Sequence, residues 1–221
     1  MNVDKEIIEK EVTGKKAFDK KYQDKVGQFA RKELHDNTIE LVKKLEENNL
    51  LKDSYHYFEI GAGGARNLYY IWNKNNNIKI SCNDFWEEES KYNMHPYIKD
   101  IINFYEGDTE IVLKNLPKDS NVDVLLSSDH FMHLPRRKAE NIIDLILNIV
   151  KPKYIVLRER KKQFENPEFV TLHGQLYKSV TYPRYYHKYE RFETKYDLIN
   201  EYGCDVKEYF IRVYKNRFIK E

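Results

Sequence analysis

The sequence predicts an α/β fold: a doubly wound, mostly parallel seven-stranded sheet, preceded by N-terminal helices and closed by an antiparallel C-terminal hairpin strand. Three observations carry this. From Tyr55 to Leu157, short apolar runs alternate with segments of helical periodicity, as in strands joined by crossover helices. The runs VDVLL and YIVL are apolar throughout, as strands covered on both faces should be. The first run ends in a cluster of glycines, Gly61, Gly63 and Gly64, where a helix is about to begin.

Ahead of the sheet, Phe18, Tyr22, Val26 and Phe29 recur at helical spacing, and Ile39, Leu41, Val42 and Leu45 do so again, predicting two amphipathic helices. The first strand is expected over 55–60 and its helix over 65–74, burying Leu68, Tyr69, Ile71 and Trp72. A strand over 78–82, a helix over 92–99 and a strand over 103–106 follow. Next come a short helix around 110–113, a strand over 122–126, a helix over 135–150 and a strand over 154–157. Pro135 suits a first helical turn, and Ile142, Ile143, Leu145, Ile146 and Ile149 give the helix behind it a broad apolar face. The stretch 158–189 is polar and aromatic, with Gly174, Pro183 and histidines, and reads as an insertion or lid. A helix over 194–202, stopped by Gly203, and a hairpin of VKEYFIRVY and NRFIKE turning at Lys215 and Asn216 complete the expectation.

No Gly/Ser/Pro-rich linker divides the 221 residues, so the chain reads as a single domain. Its parts are N-terminal helices (1–52), a central core (53–157), an insertion or lid (158–193) and the closing elements (194–221). Charged residues make up 33% of the chain and leave a formal net charge of +2, which argues against a dedicated polyanion binder. The opening MNVDKEIIEK has no apolar run, and nothing approaches the ~18 apolar residues of a membrane span, so the expectation is a cytoplasmic protein. Cys82 and Cys204 lie far apart without a CxxC partner and read as small buried residues.

In an open parallel sheet, ligands bind beyond the carboxyl ends of the strands, where strand order reverses. Chemistry-bearing residues fall at those positions: Glu59 and Gly61, then Asp84, then Gly107 and Asp108, then Ser127, Ser128 and Asp129. Glycines at a strand-to-helix turn let backbone approach a ligand at the helix start. An ionised carboxylate after the second strand offers acceptors to two ribose hydroxyls, although Asp84 also suits a cap or loop acid, and Asn83 stands one residue away.

The chain here resembles the class I S-adenosylmethionine-dependent methyltransferases. The resemblance lies in FEIGAGGARN, NDF, FYEGDTE, VDVLLSSDHFMHLP and KPKYIVLRE, covering roughly 55–157. It implies S-adenosyl-L-methionine as cofactor, with Gly61, Ala62 and Gly63 beside its methionine part and Glu59 orienting the turn or the amino group. Asn67 would support the carboxylate end. Asp84, with Phe85 next to it, would take the ribose hydroxyls. Asp108 and Thr109 would meet the adenine, and Ser128 or Asp129 would face the methionine end. The third glycine of the family's pattern is Ala65 here. A nicotinamide-dependent oxidoreductase would want the same turn, but Arg66 at the third position of its GxGxxG pattern is a poor fit.

Methyl transfer from a sulfonium is an in-line displacement with an activated leaving group, so positioning supplies much of the acceleration. If the acceptor must lose a proton, the candidate bases are His130, His133 and Asp129, with His173 and His187 in the loosened region. No metal is expected. The fourth strand ends in SSDH rather than the Asn/Asp-Pro-Pro-aromatic tetrapeptide that the resemblance would require of enzymes acting on DNA base amines. The acceptor is expected to be a small molecule, methylated at oxygen or nitrogen, and the protein a monomer or homodimer. The interleaved Tyr182, Arg184, Tyr185, Tyr186, His187 and Arg191 suit either a nucleic acid or anion surface or, preferably, a packed segment. The runner-up reading is a methyltransferase-fold module without catalysis that binds RNA or a protein partner.

Overall fold

A computed structural model describes residues 36–85, 90–91, 94–117, 119–160, 170–172, 175–177, 187–203 and 209–219. The expected helix through Phe18 and Phe29, and Cys204, lie outside them.

Helix α1 (Asp36–Glu47) precedes strand β1 (His56–Ile60), which leads into α2 (Arg66–Lys74) and β2 (Lys79–Asp84). Strand β3 (Asn103–Glu106) is followed by α3 (Thr109–Asn115), β4 (Val124–Ser128), α4 (Arg136–Leu145) and β5 (Tyr154–Arg160). A short hairpin, β6 (Val170–Leu172) and β7 (Gln175–Tyr177), stands apart from the main sheet, and β8 (Tyr196–Gly203) and β9 (Tyr209–Asn216) close the chain. The main sheet has seven strands in the order β3-β2-β1-β4-β5-β9-β8, the first five parallel and β9 antiparallel to both of its neighbours. The expected fold class is observed. Strand order reverses between β1 and β4, and the crevice at the carboxyl ends of these two strands is where such a sheet binds ligands.

Alternation along the strands sorts the core into two layers. Tyr57, Val124, Leu126 and Val156 face Leu41, Val42 and Leu45 of α1 and Leu68 and Ile71 of α2. Phe58, Ile60, Leu125, Ile155 and Leu157 face Val112 and Leu113 of α3 and Ala139, Ile142 and Ile143 of α4. Two helical layers on one sheet explain why these strands carry no polar side until their carboxyl ends. Helix α1 ends at Glu47, and two residues on Asn49 takes left-handed backbone (φ 53°), which suits asparagine. Helix α4 follows Pro135, continues as a π turn over Ile146–Val150 and ends at Lys151 in the left-handed region (φ 49°).

The structure corrects three elements. The helix expected over 92–99 is, in its described part, a 3₁₀ turn at Pro96–Ile98, with Pro96 at its start. The helix expected over 194–202 is a 3₁₀ turn, Tyr189–Thr194, followed by β8. Only Tyr196 of β8 is buried, so its sequence has little apolar periodicity of either kind, and pairing with β9 decides its conformation. The ion pairs Arg212–Glu201 (2.8 Å) and Arg217–Asp197 (2.6 Å) tie the two strands. Finally, Lys215 and Asn216 do not turn a hairpin; they are the last two residues of β9, which buries Phe210, Ile211, Val213 and Tyr214.

Candidate functional site

The turn after β1 is built on left-handed backbone at Gly61 (φ 63°), Gly63 (φ 53°) and Ala65 (φ 50°). Gly61 has a second reason to lack a side chain, because a Cβ there would stand 2.1 Å from His130 Nδ1 and 2.9 Å from His130 Cβ. At Gly63 a Cβ would meet nothing within 4 Å, so space is open above the turn. Ala65 is fully buried in the conformation that glycine adopts without strain, so the departure from the third glycine is costly locally.

Asp84, at the end of β2, clamps the turn. Its Oδ2 accepts from Gly63 N–H (2.7 Å) and its Oδ1 from Phe85 N–H (2.7 Å). Burial raises its pKa, and these two donors hold it down. Each carboxylate oxygen keeps a lone pair beyond the one in use. Asn83 is buried and donates to the carbonyls of Tyr105 (3.0 Å) and Gly107 (2.8 Å), joining the ends of β2 and β3.

Glu59 is fully buried on the α1/α2 side of the sheet. Its Oε1 accepts from Asn67 Nδ2 (2.7 Å), whose Oδ1 accepts from Thr38 Oγ1 (3.0 Å), a chain that runs from β1 through α2 to α1. Its Oε2 is buried with no hydrogen-bond partner among the described residues. Burial pushes the Glu59 pKa up to about 8, against the lowering effects of Asn67 and Arg66. Asn67 is thus spent on Glu59 and Thr38.

On the other side of the turn, Thr109 Oγ1 donates to Asn83 Oδ1 (2.7 Å) and meets His130 Nε2 at 3.1 Å. One hydroxyl hydrogen serves one acceptor, so His130 Nε2 carries the proton and Nδ1 faces Gly61. Burial drives the His130 pKa down to about 3, with His133 and Lys138 adding to the fall. Neutral throughout the physiological range, His130 packs the glycine turn and is a weak base. Asp108 caps α3 by accepting from Glu110 N–H (2.9 Å) and pairs through Oδ2 with Lys138 of α4. Phe85 is 38% exposed, and Lys138 Nζ lies 5.8 Å from the centre of its ring.

The ends of β4 and β5 form the rest of the site. Asp129, in left-handed backbone (φ 59°), pairs through Oδ2 with Arg158 Nη1 (2.5 Å), which also donates to Ser128 Oγ (3.0 Å). Glu159 Oε1 accepts from Ser127 Oγ (2.8 Å) and from the N–H groups of His130 and Phe131 (3.2 Å each), fixing the 3₁₀ turn Phe131–His133. Burial, then the charge of Asp129, raises its pKa to about 8.

Of the residues expected from sequence, Glu59, Gly61, Ala62, Gly63, Asn67, Asp84 and Phe85 gather at the β1–α2 turn. Asp108, Thr109 and His130 gather beneath it, and Ser128 and Asp129 meet at β4–β5. His133 ends the 3₁₀ turn, half-buried. His187 is buried, with Nε2 2.8 Å from the Phe131 carbonyl, and Arg191 pairs with Asp144 (2.6 Å), so this end of the aromatic-basic segment meets the turn after β4 and helix α4. His173, Tyr182, Arg184, Tyr185 and Tyr186 lie outside the described residues. Sequence reasoning missed Arg66, Lys138, Arg158 and Glu159. For the last two a signal existed, an abrupt Arg-Glu directly after the apolar run YIVL.

A shallow cleft lined by Lys52, Tyr55, Lys153, Tyr154, Lys215 and Asn216 lies at the opposite, amino end of the parallel strands. No helix among the described residues is long and apolar enough to cross a membrane, and no group of three His, Cys, Asp or Glu among them is placed to hold a metal.

Strand order, the glycine turn at the switch point and the C-terminal antiparallel hairpin define the Rossmann-like fold of class I S-adenosylmethionine-dependent methyltransferases. Solved structures give the particular neighbours. The chain is similar to a SAM-dependent methyltransferase from Aquifex aeolicus (15% identity, 89% of this chain and 98% of that one, TM-score 0.59). It is also similar to the PH0226 protein from Pyrococcus horikoshii OT3 (11%, 83% and 92%, 0.58). A third is M. capricolum TrmK, solved with S-adenosyl-homocysteine (13%, 85% and 73%, 0.51). The share of the neighbour's chain that is covered falls to 46% and 27% for two others. At these identities the likeness establishes the fold. Comparison of the sequence with protein-family models and with curated proteins gives no match.

Proposed function

We propose that this chain is an S-adenosylmethionine-dependent methyltransferase acting on oxygen or nitrogen of a small molecule. The observation that carries the reading is Glu59: a buried carboxyl at the end of β1, with Oε2 unpartnered among the described residues, beside an open glycine turn. Burial keeps the unoccupied carboxyl protonated near neutral pH, and a cationic donor at Oε2, such as the amino group of a bound S-adenosylmethionine, would favour its ionised, accepting form. The bound cofactor supplies an activated methyl group.

Under this reading Glu59 holds the amino group, and Gly61, Ala62 and Gly63 let backbone lie close to the methionine part. Asp84 uses its remaining lone pairs on the ribose hydroxyls. Phe85 offers a half-exposed ring to the adenine, and Asp108 and Thr109 shape that end through α3 and the Asn83 network. Ser128 and Asp129 border the methionine end. Asp129 and His133 are the described candidate bases that remain, because burial lowers the pKa of His130 and of His187.

Calorimetric titration with S-adenosylhomocysteine tests the reading. Binding is expected, with at least a tenfold loss in Asp84→Ala. Absence of binding by the native chain would overturn the proposal, and equal binding by both proteins would remove Asp84 from its role. RNA binding that survives loss of the cofactor would favour the non-catalytic module instead.

A further inference from the structure

Arg158 is the least satisfied cation described in the site. Its side chain follows the face of β5 shared with Tyr154 and Val156, so it ends on the same side of the sheet as Glu59. It is 3% exposed. A guanidinium presents five N–H donors, and those on Nε and Nη2 lie parallel along one edge, matched to the two oxygens of a carboxylate. In this chain Nη1 is committed to Ser128 Oγ and Asp129 Oδ2, whereas Nε and Nη2 are both buried and have no partner among the described residues. The Tyr209 ring, with its centre 4.7 Å from Cζ, braces the guanidinium plane. The unused edge is thus a rigid two-pronged fork.

The surrounding charges are mixed. Asp129 offsets one positive charge, while burial and then Arg158 lower the pKa of Arg66, at the start of α2, against the raising effects of Glu59 and Asp129. Glu59 feels both arginines. Glu59 and Asp129 both act on these arginines, yet neither accepts from Arg158 Nε or Nη2, which leaves those two donors for another acceptor at the meeting of β1, β4 and β5.

We propose that Arg158 is the carboxylate-binding residue of this site, its Nε and Nη2 donating in parallel to the carboxylate of a bound small molecule. The choice of molecule rests on the methyltransferase reading, and the fork itself does not. Two sources fit: the methionine end of the cofactor, or an acceptor that is itself a carboxylic acid.

The decisive readout is made on the native protein without cofactor, by following the Arg158 Nε–H resonance in a ¹⁵N–¹H correlation while titrating benzoate. The resonance is assigned by its loss in Arg158→Lys and, independently, in Arg158→Gln. A saturable shift is expected. A resonance that moves neither with benzoate nor with S-adenosylhomocysteine would overturn the proposal. The source is read from affinities of native and Arg158→Lys protein for S-adenosylhomocysteine and for methylthioadenosine, which lacks the amino-acid end. A tenfold or greater loss for the first with none for the second assigns the cofactor's carboxylate. Unchanged affinities, with benzoate still shifting the resonance in the cofactor-saturated protein, assign the acceptor's. Benzoate binding in a protein that fails to bind S-adenosylhomocysteine would keep the fork and overturn the methyltransferase reading.

Discussion

Gly61→Ala and Gly63→Ala separate two reasons for a glycine, and their difference has a calculable size. Both residues have positive φ, 63° and 53°, where a Cβ costs about 1 to 2 kcal/mol. At Gly63 that is the whole cost, because nothing lies within 4 Å of the added atom. At Gly61 the methyl would also meet His130 Nδ1 at 2.1 Å, Cγ at 2.5 Å and Cβ at 2.9 Å. The last contact is close to the backbone, so a rotamer change cannot clear it, and overpacking of this kind adds about 1 to 3 kcal/mol. Gly61→Ala is therefore expected to cost about 2 to 5 kcal/mol in urea unfolding and Gly63→Ala about 1 to 2. In the double variant Gly61→Ala/His130→Ala the ring contacts vanish and the Cβ contact stays, so a partial rescue of about 1 to 2 kcal/mol relative to additivity is expected. Equal costs for the two single variants, or strict additivity in the double, would refute the claim that His130 is packed on Gly61.

Glu59 and Glu159 both have folded pKa values of about 8 against an ordinary 4.5. Between these values the folded chain keeps protons that the unfolded chain has released, so each glutamate makes stability fall as pH rises, by up to about 1.4 kcal/mol per pH unit, with levelling above about 8. Urea unfolding from pH 5 to 8.5 should show a shallower fall in Glu159→Gln than in the native chain; a steeper one would contradict the assignment. Glu59→Gln should raise stability at pH 8 while weakening S-adenosylhomocysteine in calorimetry, two effects of opposite sign that a merely structural glutamate would not give. Asn67→Ala breaks the Thr38–Asn67–Glu59 chain and should cost about 1 to 3 kcal/mol in urea unfolding. Asp108→Ala loses the α3 cap and should cost about 1 kcal/mol. Lys138→Met breaks only a partly exposed pair and should cost less than about 1 kcal/mol.

The central strands β1, β4 and β5 were legible because both faces of each are covered, which leaves runs of buried residues that mark their position. Asn103–Glu106 falls where expected, and the other parallel strands differ by one to three residues at their ends. The closing hairpin was legible as a feature but not in its parts. Tyr196–Gly203 is an edge strand with one buried side chain, so its conformation is set by β9, which is remote from any local pattern. In the site, Glu59 and Asp84 could be picked out because their meaning follows from place: the carboxyl ends of β1, which borders the switch point, and of its neighbour β2. Arg158 and Glu159 sit at an equivalent place on β5, yet a charged pair after an apolar run ordinarily marks emergence into solvent. Their burial comes from Tyr209 on one face and the Phe131 turn on the other, contacts made by distant segments.

The alternation of β5 gives these two neighbours different work. Glu159 points to the α3/α4 side and gathers three donors on Oε1, two of them backbone N–H groups of the segment after β4. Arg158 points to the α1/α2 side, donates to both Ser128 and Asp129, and its carbonyl accepts from Asp129 N–H at 3.0 Å. The Ser128–Asp129–His130 segment is therefore held from both faces of the sheet by consecutive residues of one strand, which is how Asp129 can sit at φ 59° without a glycine. Because both supports belong to the folded sheet, that segment should be rigid before any ligand arrives. Amide hydrogen exchange should then show Asp129 and Phe131 protected as strongly as mid-strand residues of β4, and protection of Phe131 should fall in Glu159→Ala while that of Leu125 holds. Loss of protection at both positions together would mean that the segment opens with the sheet and that Glu159 has no local role.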